Sequence, residues 1–197
     1  MTLLRNIFGA TPIDQDEVDG LIPAHITTQE ELNEWEQANM MEAQVWLNSK
    51  RLITTEEVLG QVFIKKLHQK MFGKTWRWAG KFLKTDKNIG CDWRTIPVRL
   101  KQLFDDVNFQ LLHNTYVTDE IAVRFHHRLV AIHPFANGNG RLSRLITDLF
   151  LISCKQKTFS WGIASSKDKE SIRKQYIRAL QAADMHDYLP LLGFVKT

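Results

Sequence analysis

The sequence predicts a mainly α-helical fold, a helical bundle carrying one short β-hairpin or exposed loop, and three observations lead there. Apolar residues recur at three- and four-residue spacing through several long segments. Two Thr-x-x-Glu capping boxes stand directly before such segments. Five prolines and ten glycines in 197 residues are too few for the many tight turns of an all-β chain.

Thr28-Gln29-Glu30-Glu31 opens the first helix, at about 28–48, with Leu32, Trp35, Asn39 and Ala43 expected on its inner face. Thr54-Thr55-Glu56-Glu57 opens the second, and Val58, Val62, Ile64, Leu67 and Met71 carry it as one run to Gly73. Trp76-Arg77-Trp78-Ala79-Gly80 follows, and then a stretch from Lys81 to Pro97 without helical period, containing Asn88, Gly90 and Asp92, which reads as the hairpin or loop. Helix returns at about 98–113 on Leu100, Leu103, Phe104 and Val107, and at about 119–132 on Ile121, Phe125 and Leu129, with Thr118 as the expected cap. His133-Pro134-Phe135-Ala136-Asn137-Gly138-Asn139-Gly140-Arg141 interrupts the pattern, because proline stops a helix and glycine permits backbone angles closed to other residues. Leu142, Leu145, Ile146 and Leu149 restart it at once. A last helix at about 167–184 carries Ile172, Tyr176, Ala179, Leu180 and Ala183, and Leu189-Pro190-Leu191-Leu192 with Phe194 closes the chain.

Apolar residues at 44% and charged residues at 24% are ordinary globular values, so disorder and fibrous repeats are excluded and one domain with a small appendage is expected. The longest apolar stretch, Leu145 to Cys154, contains Asp148 and is too short to span a bilayer. The first twelve residues hold no apolar block leading to a cleavage site, so a cytoplasmic location is expected. Cys91 and Cys154 form no Cys-x-x-Cys pair. A net charge of +4 is too small and too dispersed for direct nucleic-acid binding, and the basic segment from Lys155 to Arg178 reads as a solvated helix face. His126 and His127 stand outside any His-Glu-x-x-His pattern, which argues against zinc.

Chemistry concentrates in the glycine loop. Backbone N–H groups of Gly138, Asn139 and Gly140 at a helix start, with the helix dipole behind them, make a seat for phosphate. Arg141 and Arg144, three residues apart, add forked donors suited to a ligand with several phosphates. His133 can take a proton from an incoming hydroxyl at neutral pH, and the Asn137 amide oxygen is a weak magnesium ligand. A base, an anion hole and a charge clamp are the parts that phosphoryl-type transfer needs.

His133 to Arg144 resembles the signature of Fic-domain proteins, His-x-Phe-x-(Asp/Glu)-Gly-Asn-Gly-Arg-x-x-Arg, with Asn137 where the family has an acid. Trp76 to Lys81 resembles the family's Trp-Ala-Gly-Lys entry to a target-binding flap, and Tyr176 to Phe194 resembles its closing segment. The whole chain, including the opening to Asn39, is also similar to the Fic subfamily called mobile mystery protein B, which lies beside a helix-turn-helix partner. The resemblance implies a Fic-type helical bundle in residues 51–197 with residues 1–50 as an extension and helix packed on it. It implies a protein adenylyltransferase that moves NMP from ATP or another nucleoside triphosphate, with Mg2+, to a Tyr, Thr or Ser hydroxyl of a target protein.

In that reading His133 is the catalytic base and Phe135 anchors the loop. Gly138, Asn139 and Gly140 hold phosphate, Arg141 and Arg144 neutralise it, and Asn137 meets the metal. Asn88, Ile89, Gly90 and Trp93 belong to the flap. Tyr176 either stacks on the base or is plain core. Gly140, where the Doc branch has lysine, argues for nucleotidyl transfer over phosphorylation. Some family members are inhibited by a (Ser/Thr)-x-x-x-Glu-(Gly/Asn) helix. Thr27 to Glu31 has that spacing, but Leu32 follows, so Glu31 is either inhibitory or only the capping-box acid. A partner antitoxin is the other implied inhibitor, and a weak nucleotide-binding regulatory module or a deAMPylase is the alternative function.

Overall fold

The computed structural model describes residues 18–50, 52–163 and 168–197. Helix α1 is Gln29–Asn48, α2 Thr55–Val58, α3 Gln61–Phe72, α4 Ile96–Leu112, α5 Thr118–Ile132, α6 Asn139–Ser153, α7 Lys169–Asp184 and α8 Leu189–Val195, with a 3-10 turn at Trp93–Thr95. The first capping box forms in full: Thr28 accepts from the Glu31 N–H while the Glu31 carboxylate accepts from the Thr28 N–H. The second predicted helix is two, because after Leu59 the chain turns and Gly60 caps a new helix. Thr118 is the first residue of α5 rather than its cap, a place taken by the extended Val117.

Helices α5 and α6 form the centre. Helix α5 packs on α4, α6 and α8, whereas α6 packs on α2, α3 and α5, and α1 lies along α3. Phe125, Phe150, Leu142, Ile146 and Phe135 are fully buried at this junction. Burying each such side chain stabilises the fold by about 1.5–3 kcal/mol. The glycine loop joins the C-terminus of α5 to the N-terminus of α6 and is therefore held from both sides.

Two inner faces differ from the spacing reading. On α1 the buried positions are Leu32, Glu36, Asn39, Ala43 and Leu47, while Trp35 is 36% exposed. A carboxylate occupies an apolar stripe there because it has partners across the core. On α3 Phe63 is buried and Val62 faces solvent.

The hairpin does not form: no strand occurs among the described residues, and the one bridge, Leu21 with Trp76, lies elsewhere. Residues 81–92 are an irregular segment in which two backbone donors go to the end of α5 and the start of the glycine loop instead of to a partner strand. The Leu83 N–H donates to the Pro134 carbonyl at 3.0 Å and the Cys91 N–H to the Ile132 carbonyl at 3.3 Å.

Candidate active site

His133 closes α5 in the left-handed conformation, φ 54° and ψ 58°. A non-glycine residue held there is strained. The imidazole is 8% exposed, and one ring nitrogen donates to the Val130 carbonyl. Burial, and less so the nearby Lys87 charge, lower its pKa to about 4, so the ring is neutral at pH 7 and keeps a lone pair on its other nitrogen.

Gly90 of the flap lies against this residue. Its φ is 99°, and a Cβ there would stand 2.7 Å from the His133 Cβ. Asn88 and Ile89 are exposed beside it, and Trp93 is half-buried with the Arg94 guanidinium 4.9 Å from its ring centroid.

The loop after His133 is fixed by its own polar groups. Asn139 is 2% exposed; its Oδ1 accepts from the Phe135 N–H at 3.0 Å and its Nδ2 donates to the Phe135 carbonyl at 2.6 Å. Its side chain is thus spent on the loop, and only its backbone remains for phosphate. Gly138, φ 78°, packs so closely that a Cβ would meet the Phe72 ring at 2.5 Å. Gly140 differs: a Cβ there would find nothing within 4 Å. Open space at the first turn of α6, over unpaired helical N–H groups, is what an anion seat requires.

The two arginines diverge instead of reaching the same way. The Arg141 Nη1 donates to Glu36 Oε2 at 2.5 Å, its guanidinium 4.6 Å from the Phe72 ring centroid. Glu36, 3% exposed, also accepts from Trp76 Nε1 at 2.7 Å. Arg144 points to α7, with Cζ 5.4 Å from the Tyr176 ring centroid.

Tyr176 is largely committed within the fold. Its hydroxyl lies 2.8 Å from Nε2 of the buried His126, whose ring also donates to the Ser143 carbonyl and whose pKa burial lowers to about 3. Burial in turn raises the tyrosine pKa to about 12. Glu31 stays at the start of α1, exposed, with Thr27 and Thr28 N–H groups at 2.8 and 2.9 Å, so its carboxylate serves the cap. The acid that meets a motif arginine is Glu36.

A magnesium site is poorly formed on the protein side. Asn137 Oδ1 accepts from the Gly138 N–H at 2.6 Å, and the described residues hold no group of three His, Cys, Asp or Glu side chains able to bind a metal.

Residues 59–151 match the family model described as Fic/DOC family. This segment is a Fic/DOC-family domain. Among curated relatives, protein adenylyltransferase fic-1 of Caenorhabditis briggsae is 30% identical over 120 residues, covering 59% of this chain and 22% of that protein. The chain thus spans about a fifth of the length of such relatives. Two solved Fic structures share the fold. BepC of Bartonella tribocorum with bound AMPPNP has a TM-score of 0.69 at 17% identity, covering 93% of this chain and 97% of that one. Fic-1 of Caenorhabditis elegans has a TM-score of 0.69 at 22% identity, covering 90% and 51%. No described helix is long and apolar enough to cross a membrane.

Sequence reasoning missed Glu36, His68 and His126 as members of the site. Their signal was the same in each case: a polar residue at a buried position of an apolar helical stripe.

Proposed function

We propose that this Fic domain is a protein adenylyltransferase that transfers the NMP group of ATP, or another nucleoside triphosphate, to a Tyr, Thr or Ser hydroxyl of a target protein. The observation that carries the reading is one short loop with the left-handed, buried His133 at its start and the open first turn of α6 at its end.

In the proposed reaction the triphosphate lies over Gly138, Asn139 and Gly140; the Asn139 and Gly140 N–H groups and the helix dipole oppose its charge, and the Gly138 N–H joins them once it leaves Asn137 Oδ1. The target hydroxyl oxygen bonds to the α-phosphorus while its proton passes to the lone-pair nitrogen of His133. The bond from the α-phosphorus to the bridging oxygen breaks, and pyrophosphate leaves with that electron pair. Arg144, and Arg141 once it parts from Glu36, neutralise the β- and γ-phosphates. Phe135 holds the loop in the core. The flap, at about 85–95, aligns the target segment through main-chain contacts, with Asn88, Ile89 and Gly90 toward the base and Trp93 at the far end. ATP enters as its magnesium complex, and no step depends on a protein-held metal.

The test is incubation with ATP labelled at the α- or the γ-phosphate. Transfer of α-label to protein, abolished by His133→Ala, supports the reading; label arriving only from the γ-position would place the chain with kinases.

Two contacts favour a second reading, a slow nucleotide-binding regulatory module controlled by an antitoxin-like or helix-turn-helix partner. Asn137 is folded onto its own loop, and Glu36 holds Arg141. Nucleotide binding without transfer of any label supports it. Removal of AMP from a modified target, tested with an adenylylated protein, would use the same residues in reverse.

A further inference from the structure

His68 lies on α3, far in sequence from the glycine loop, and is 0% exposed. It makes two hydrogen bonds of opposite sense. The Gly80 N–H donates to its Nδ1 at 2.9 Å, and its Nε2 lies 3.0 Å from the Asn137 carbonyl. A ring that accepts at Nδ1 has its one proton on Nε2, so the Asn137 contact is an N–H donor to a carbonyl. The imidazole also stacks on Phe135, centroids 3.9 Å apart and planes 13° apart.

We propose that His68 is the positioning residue of the phosphate seat: as the Nε2–H tautomer it pins the Asn137 carbonyl and thereby fixes the direction of the following amides. This rests on the adenylyltransferase reading, and it adds a residue outside the glycine loop to that site.

The physical argument is one of leverage. Asn137 is the last residue before Gly138 turns left-handed into α6, at φ 78°. The peptide plane that carries the Asn137 carbonyl also carries the Gly138 N–H, so holding one orients the other. On the far side of the loop Asn139 fastens Phe135, and Phe135 is the ring His68 stacks on. His68 therefore braces both ends of the turn between His133 and the open face at Gly140. Its second bond, from Gly80, ties this brace to the turn that starts the flap. Burial lowers the pKa of the ring to about 3, so the ring is neutral between pH 8 and 5, and the two hydrogen bonds set which nitrogen carries the proton.

Two amide variants separate the two bonds. His68→Gln places a donor near the former Nε2 and keeps the link to Asn137; His68→Asn places an acceptor near the former Nδ1 and keeps only the link to Gly80. Both lose the stack on Phe135, so their difference weighs the Asn137 bond against the Gly80 bond. The expected result is that the Asn variant loses about 10-fold to 100-fold in α-label transfer and in ATP affinity, while the Gln variant recovers at least several-fold of that loss. Equal losses in the two, or no loss in either, would overturn the proposal. A second measurement needs no variant: 15N NMR of the wild-type histidines shows one ring with a protonated Nε2 and an accepting Nδ1, unchanged from pH 8 to 5. A charged ring or an Nδ1–H tautomer at His68 would sink the idea. If the wild-type protein transfers no label, the function reading fails; the ATP affinities and the NMR tautomer still decide the role of His68.

Discussion

Glu36 and Arg141 meet at 2.5 Å across 105 residues of chain, and the Glu36 carboxylate is almost sealed from water. The pair ties α1 to the first turn of α6. A triphosphate that recruits Arg141 must first compete with this carboxylate. In Glu36→Gln the Trp76 Nε1–H keeps an acceptor while the charge is gone. ATP affinity is expected to rise about tenfold, equal to about 1.4 kcal/mol, and stability to fall by about 1.5–3 kcal/mol. Calorimetry with ATP beside urea melts checks both; unchanged affinity with lost stability would make the contact purely structural.

The two glycines flanking Asn139 should respond in opposite ways. Gly138→Ala forces a methyl group to 2.5 Å from the Phe72 ring at a left-handed φ and is expected to destabilise by about 1–3 kcal/mol. Gly140→Ala meets no atom within 4 Å and sits in a helix, so stability is expected to hold or rise by about 0.5–1 kcal/mol. Its methyl group stands where the proposed ligand would lie, and ATP affinity is expected to drop. Comparing melting temperature with ATP titration for the pair decides it: a Gly140→Ala protein that binds ATP normally removes the phosphate seat from that position.

How much of this was legible before any coordinates follows from where the information sits. The glycine loop was readable because its proline, glycines, histidine and arginines are contiguous in sequence and interrupt two strong apolar periods. Glu36 and His68 were not, since each derives its role from a partner 105 or 69 residues away. Spacing also placed Trp35 inward; only the distant Arg141 and Trp76 explain why the neighbouring Glu36 carboxylate is the buried one. The flap lacks its expected strands for a related reason. Its N–H groups at Leu83 and Cys91 find acceptors on Pro134 and Ile132, contacts between segments that no local pattern records.

Three buried neutral histidines give the fold an acid limit. His68 and His126 have pKa values near 3 and His133 near 4, against 6.5 for an exposed ring. Above about pH 6.5 the folded and unfolded chains bind the same protons at these rings, and no stability is at stake. Below it the unfolded chain binds more, so stability falls as pH falls, until the folded pKa values are reached. Each ring contributes up to about 1.4 kcal/mol per pH unit in that window. Urea midpoints measured from pH 7.5 to 5 should decline steeply below 6.5; a flat profile would mean that the rings reach solvent.

Asn137→Asp tests the metal question directly. A carboxylate can still accept from the Gly138 N–H through one oxygen and leaves the other for a cation. Transfer of α-label is expected to rise, and the magnesium concentration giving half-maximal rate to fall about tenfold or more. An unchanged magnesium dependence would show that the nucleotide alone carries the ion.

The close approach of Gly90 to His133 constrains how new specificities are made. Asp86 also accepts from the Trp93 N–H at 3.2 Å, whereas in the adenylyltransferase reading exposed positions 84, 85, 88 and 89 can be exchanged when a library is built to redirect the flap to other acceptors. Position 90 cannot, since any side chain there would displace the base itself. In that reading retargeting and catalytic competence are separable at those four exposed positions and inseparable at Gly90.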